Sequence, residues 1–348
     1  MKLIELHILQ SFPVSCLNRD DVGSPKSATF GGVNRARISS QCLKRAARTH
    51  AKEHFAALKK FEGIRSRLIV PQFEAALAEL DVPDPRKVAT DIANELSKID
   101  AKNKTGDEVT TAVFLSPGEI KEIAAAIAGG KEIKKAIKDA KRLDAADIAL
   151  FGRMIANDSS LNVEAAAMFS HALSTHKVET DLDFFSAVDD RKAADADSEN
   201  AGAGMIGTLE FNSATYYRYC AINLDLLRKN LPGLELKPII DAFLRSVIEA
   251  IPSARQNSMN AHVRPYYVLG TYREKGQPVQ LINAFENPVR PNGSGFLQPS
   301  RARLDGSECG TSELEKLEKI WGLKTDLSAA IPDVGIDQFI QTLTAHVS

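Results

Sequence analysis

The sequence predicts an α+β protein, and three observations carry that expectation. Residues 3–9 alternate as a strand does, with Leu3, Glu5 and His7 on one face and Ile4, Leu6 and Ile8 on the other. A helical run follows from about residue 40 to 60, opened by Ser39 or Ser40 as N-cap. After a long, mostly helical stretch, the chain returns to β-prone segments flanking a second amphipathic helix. Strand, helix, helical insertion, then strand, helix and strands is an α+β order.

The elements follow in sequence. Residues 13–32 are rich in Pro, Gly, Asp and Asn and read as a loop. Residues 62–178 are Ala-rich and predicted to be mostly helical, with breaks at 83–85, 117–118 and 129–130; residues 161–175 also have helical spacing. Residues 180–199 are acidic and lead into a flexible Asn-Ala-Gly-Ala-Gly run at 200–204. The aromatic segment TYYRYCAINL (215–224) predicts a strand, residues 237–251 an amphipathic helix, and residues 266–271 and 279–284 two more strands. From Gly335 onward the pattern is a short helix. No internal repeat is present.

The 348 residues are 44% hydrophobic and 26% charged, an ordinary globular balance, and the net charge is −1. That near-neutral total conceals strong segregation. Residues 19–60 hold ten Lys/Arg against three Asp/Glu, residues 179–199 two against eight, and residues 252–303 seven against two. Four scattered cysteines (Cys16, Cys42, Cys220, Cys309) form no CxxC pair and predict neither a zinc site nor a disulfide framework. No apolar window reaches the length of a membrane span, and the start MKLIELHILQ is strand-like rather than a signal sequence, so the expected location is the cytoplasm.

The most informative segment is 33–48, with five positive charges and no negative one. At 100° per residue, Gln41, Lys44, Arg45, Arg48 and Lys52 fall in one arc, opposite Leu43, Ala46, Ala47, His50, His54, Leu58 and Phe61. Residues 44 and 48 lie about 6 Å apart along the axis, close to the phosphate step of an extended strand. Arg35 and Arg37 precede the helix, and its first-turn N–H groups after Ser39 and Ser40 offer a further anion site. A solvated helix face usually mixes signs. This one does not, and a polyanion is the expected partner.

The string CLNRDDVGSPKSATFGGVNRARISSQCLKRAAR (16–48) resembles the CasC backbone subunit of the type I-E CRISPR Cascade complex, of the RAMP superfamily. The resemblance rests on Asn18-Arg19-Asp20-Asp21, Lys26, Phe30-Gly31-Gly32, Arg35, Arg37 to Gln41, Lys44-Arg45 and Arg48. It continues in DIALFGRM (147–154), SHALSTHKVETDLDFFSAVDD (170–190), GTLEF (207–211), YYRYCAINL (216–224), INAFENPV (282–289) and GFLQPS (295–300). Residues 56–145 match only in helical character, and Cys42 stands where a serine is expected.

The resemblance implies an RRM-like (ferredoxin-like) palm from 1–60 and 216–348, a mostly helical fingers insertion at 61–184 and a β-hairpin thumb at 185–215. It implies several copies stacked as a filament along one guide RNA (crRNA), with other Cascade subunits and target DNA as further partners. Arg19, Lys26, Arg35, Arg37, Ser40, Gln41, Lys44, Arg45 and Arg48 would hold the RNA backbone. Met154, Met205 and Ile206 would displace bases. The acidic run, with Asp189 and Asp190, would face the basic surface of a neighbouring copy.

Catalysis, a metal and a cofactor are not expected. His50, Glu53 and His54 lack the HExxH order, and no P-loop, GxSxG or GxGxxG motif occurs. An alternative is a metal-dependent ribonuclease that cleaves target RNA through Asp20 or Asp21, which adjoin Arg19. A second is a nucleic-acid-binding regulator that uses a basic helix. The role of the basic region around Arg255, Gln256, Asn257 and Arg264 stays open between the guide groove and the path of the target strand.

Overall fold

The computed structural model describes residues 1–141, 143–155, 157–187, 205–293 and 295–347. Its strands are β1 (Leu3–Ser15), β2 (Ser27–Phe30), β3 (Val33–Ile38), β4 (Ile64–Leu68), β5 (Glu108–Leu115), β6 (Ala167–Phe169), β7 (Ala172–Ser174), β8 (Asp181–Ala187), β9 (Met205–Asn223), β10 (Tyr267–Arg273) and β11 (Leu327–Ile331). The main sheet runs β11-β10-β1-β9-β7-β3-β2, with β6 and β8 also paired to β9, and every pairing is antiparallel. The mixture of helices with an antiparallel sheet is the predicted α+β class.

β1 is the spine of this sheet, flanked by β10 and β9. Its even residues Ile4, Leu6 and Ile8 face an apolar layer that includes Ala47 and Ala51 of helix Ser40–His54, Phe243 and Val247 of helix Lys237–Glu249, and Phe339 and Leu343 near the C-terminus. The odd face is buried as well, because Leu281, Phe285, Val289, Leu304 and Leu314 pack on Leu9, Tyr217, Tyr219 and Tyr267. Glu5 and His7 therefore lie at zero exposure rather than on a wetted face. They survive burial by being partnered: Glu5 accepts from Tyr219 Oη at 2.7 Å and from the Val279 N–H at 2.8 Å and pairs with Arg273, and His7 Nδ1 meets Tyr217 Oη at 2.9 Å.

Several local predictions give way to tertiary pairing. Residues 167–174 have helical spacing but form β6 and β7, because Ala167 pairs with Ile222 and Leu173 with Tyr217. Residues 282–285 form a 3₁₀ turn, not a strand. The basic helix stops at His54, where Phe55 leaves helical geometry. The insertion is helical around its own core (Val70, Phe73, Leu77, Ile92, Leu96, Ile123), but it also contains the two-stranded sheet β4–β5.

The β2–β3 hairpin turns on Gly31 and Gly32 at φ +58° and +74°. Two consecutive positive φ values suit a two-residue hairpin turn. Gly31 also lies against the 282–289 loop, since a Cβ there would sit 1.7 Å from the Glu286 carbonyl oxygen. β8 pairs with the first part of β9, Asp181 with Phe211 through Ala187 with Met205, before β9 enters the main sheet at Asn212 opposite Ser15. Residues 188–204, with Asp189 and Asp190, lie outside the described residues, as do the side chains of Met205 and Ile206. Among the described residues, no helix is long and apolar enough to cross a membrane.

Candidate nucleic-acid interface

Ser39 caps the basic helix, its hydroxyl accepting from the Cys42 N–H at 3.3 Å, and Leu43, Ala47 and Ala51 bury the opposite face. This rotation places Gln41, Lys44, Arg45 and Arg48 along one wall of a cleft of about 880 Å³. The facing wall comes from the insertion: Arg65, Thr111, Ala112, Phe114, and the segment Phe151–Met154 with Val163 and Ala165. Five cations line the cleft and no acidic residue does.

Two of the cations are mounted on aromatic rings. Lys44 Nζ lies 5.8 Å from the centroid of Phe169, and the Arg48 guanidinium 5.0 Å from that of Phe114. Burial works against the Arg48 charge, Asp147 supports it, and Arg45 and Arg65 oppose it. Asp147 is wholly buried, and burial pushes its carboxyl up to about 6, with Arg48 pulling the other way.

The GRM motif explains how Met154 reaches the cleft. Gly152 takes φ +81°, where a Cβ would sit 3.1 Å from both Ala165 Cβ and the Val163 carbonyl. Arg153 turns inward, ion-paired to Glu119 at 2.8 Å and donating to the carbonyls of Phe114 and Leu161, with both charged side chains 2% exposed or less. With its neighbour anchored, Met154 projects outward and is 77% exposed.

The other predicted residues divide. The Lys26 N–H donates to the Asn18 carbonyl at 2.8 Å, and Asn18 Oδ1 accepts from the Ser39 N–H at 2.9 Å, which places Lys26 beside the helix start. Arg19 is exposed, and it and Arg255 both act on Cys16, so one member of the second basic region adjoins the N-terminal loop. Arg37 is half-buried, with its Nε lacking a hydrogen-bond partner. Lys52 does not line the cleft.

Three expectations are corrected. Arg35 has zero exposure and donates to the carbonyls of Phe30 (3.2 Å), Ser174 (3.0 Å), Phe285 (2.8 Å) and Glu286 (3.1 Å), so its donors are spent inside the fold and it cannot grip RNA. The first-turn anion site is reduced: the Ser40 N–H donates to His171 Nδ1 at 2.9 Å and the Cys42 N–H to Ser39, while the Ser40 hydroxyl donates to the Gln41 side chain at 3.3 Å. His50 packs beside Ser246, but His54, tilted against it with ring centroids 4.1 Å apart, is exposed although it falls on the apolar arc of the helix.

Arg65 is a cation the sequence reading missed. It lies on β4 directly opposite Phe114 of β5. The available signal was the alternation in Ile-Arg-Ser-Arg-Leu (64–68), whose second arginine, Arg67, is consumed by Asp100 and Glu108. Asp20 is engaged in its own loop, its Oδ1 accepting from the N–H groups of Val22 and Ser24 at 3.0 and 2.9 Å.

An antiparallel α+β fold with an acid-free cationic cleft defines the class, and two solved structures of similar fold carry related descriptions. The fold is similar to a chain of a "CRISPR RNA-guided surveillance complex, pre-nicking" (TM-score 0.77, 25% identity, covering 97% of this chain and 95% of that one). A chain of a second "CRISPR RNA-guided surveillance complex" shares the fold at TM-score 0.61 and 22% identity, covering 99% and 98% of the two chains. The protein belongs to the family described as CT1975-like protein, whose model matches residues 4–343. No curated protein matches the chain.

Proposed function

We propose that the protein is a non-catalytic backbone subunit of a CRISPR surveillance complex of the Cascade kind, holding guide RNA by its sugar–phosphate backbone. The observation that carries the reading is the cleft. Gln41, Lys44, Arg45 and Arg48 line one space with Met154, more than a hundred positions further along the chain; the lining has no carboxylate, and with Arg153 paired to Glu119 four of its cations remain to face a ligand. Cations without competing acids favour a polyanion, and phosphate contacts carry no base information, which leaves the bases readable.

The finer parts of the reading have their own support. The order β10-β1-β9-β6, all antiparallel, with connecting helices Ser40–His54 and Lys237–Glu249, suits an RRM-like palm formed by residues 1–60 and 216–348. The separate core of the insertion suits fingers at 61–184, and the β8–β9 ladder suits a thumb around 185–215. A type I-E backbone role would add filament assembly along the guide, target DNA as partner and a cytoplasmic address.

The test is to purify the protein with its operon neighbours, sequence the bound RNA, then digest that RNA and repeat gel filtration. The expected result is CRISPR-derived guide RNA and a multi-copy particle that collapses on digestion. Random cellular RNA, or no RNA, overturns the proposal. Incubation with complementary RNA and a divalent metal tests the ribonuclease alternative: cleavage lost in Asp20→Ala or Asp21→Ala would replace the present reading.

A further inference from the structure

Arg48 starts on the palm-side wall of the cleft, but its guanidinium rests on the opposite wall. The ring beneath it, Phe114, is 8% exposed and held in a small apolar cluster with Ala145, Ile148 and Val163. Asp147, at the start of helix Ala146–Phe151, is the one acid acting on Arg48; the other charges acting on it are Arg45 and Arg65.

Both partners are fixed from behind. Asp147 Oδ1 accepts the Ile148 N–H at 3.0 Å. Gly63 closes the packing: a Cβ there would sit 2.5 Å from Phe114 Cε2 and 2.5 and 2.7 Å from the two Asp147 carboxylate oxygens. Ring, carboxylate and glycine therefore pack as one seat, of which Phe114 lines the cleft with Arg48 while Gly63 and Asp147 do not.

An arginine left free would have to be ordered when it met a phosphate, at a loss of affinity typical for one long side chain. One held in advance meets it without that loss. A buried carboxylate beside a phosphate site would otherwise be counterproductive, since it opposes the incoming anion.

Building on the guide-RNA reading above, we propose that Phe114, whose ring carries the Arg48 guanidinium, and Asp147, packed with that ring against Gly63, are positioning residues for the RNA grip that hold Arg48 in the cleft. Neither touches the RNA; both act through Arg48.

A double-mutant cycle tests this on the full-length protein with a fluorescent single-stranded RNA at fixed salt. The set is wild type, Lys44→Ala, Arg48→Met, Asp147→Asn, Phe114→Leu, and each of the last two combined with Arg48→Met; melting temperature is recorded for all. Asp147→Asn and Phe114→Leu are expected to weaken binding roughly three- to ten-fold when Arg48 is present, the cost of ordering one long side chain. In the Arg48→Met background each should change affinity by less than about two-fold. Equal losses in both backgrounds mean a general structural role and overturn the proposal. Unchanged or tighter binding by Asp147→Asn overturns it too, because the carboxylate would then only repel phosphate. If Asp147→Asn fails to fold, the Phe114→Leu cycle decides by the same criterion. Failure of the underlying reading looks different: wild type would not bind RNA, or Lys44→Ala would bind as well as wild type.

Discussion

Arg35→Met separates structural from RNA-facing arginines in the basic segment. Arg35 donates to four carbonyls drawn from β2, the end of β7 and the 285–286 turn, at zero exposure. It thereby ties the N-terminal hairpin to a loop 250 positions away. Methionine fills much of the volume but donates nothing, so carbonyls buried around the guanidinium lose a charged donor. Hydrogen bonds from a charged group contribute about 1.5–3 kcal/mol each. Summing four overstates the loss, because burying the guanidinium is itself costly; removing one side of a buried charged network costs about 3–5 kcal/mol. Urea unfolding followed by circular dichroism should therefore show a loss of about 3–5 kcal/mol, while RNA affinity of the folded fraction stays within about two-fold and its salt slope is unchanged. Full stability combined with a shallower salt slope would refute the argument, since it would return Arg35 to the RNA surface.

Three further outcomes follow from the same geometry. Lys44→Ala should weaken RNA binding equally for unrelated sequences and lower the salt slope by roughly 0.7, the value for one phosphate contact on a single strand; sequence-selective weakening, seen by filter binding across several RNAs, would count against a backbone grip. Glu119→Gln strands the Arg153 charge, both side chains being at most 2% exposed, and should cost about 3–5 kcal/mol in chemical denaturation; a loss under about 1 kcal/mol would show that Arg153 finds another partner. For Asp147, burial pushes the folded carboxyl up to about 6, from roughly 3.9 in an unfolded chain. The folded state holds the proton more tightly, so this group's stabilisation is full below about pH 4 and lost as pH rises through 6. Relative to Asp147→Asn, wild type should lose roughly 3 kcal/mol between pH 4 and 7, at 1.36 kcal/mol per pH unit; a pH-independent difference between the two proteins contradicts the assignment.

What the sequence exposes is what depends on local period and sign. A single-sign helical stripe survives any tertiary arrangement that buries its apolar back, so Gln41, Lys44, Arg45 and Arg48 are readable in advance, and all four line the cleft. Arg35 and Arg37 have the same local pattern, two positions apart on a strand, yet one is sealed and the other half-buried. What covers Arg35 is the 285–286 turn, and no local pattern contains it. The same holds for Glu5 and His7, whose face looks solvated until residues 281–314 are laid over it. Arg65 was hidden for a different reason: alanine-rich surroundings favour a helical reading of a segment that pairs as β4 only because residues 108–115 return beside it.

The composition of the cleft also bears on what kind of grip it is. Reading bases needs bidentate amides or carboxylates aimed at base edges, or arginines free to reach them. Here Gln41 and Thr111 are the only neutral side chains in the lining able to hydrogen-bond; Arg153 is consumed by Glu119, and Arg48 and Lys44 are seated on rings. Lys44 and Arg48, fixed in this way, suit a periodic partner whose phosphates recur at constant spacing whatever its sequence, and Arg45 and Arg65 add charge beside them. The apolar remainder, with Met154 projecting beside Phe151, offers a surface for a sugar or a base face, where stacking likewise ignores sequence. A guide differs from one target to the next. On the proposed function, a subunit able to hold every guide must leave recognition to base pairing, and a cationic lining with Lys44 and Arg48 seated on rings beside an apolar ledge suits that task.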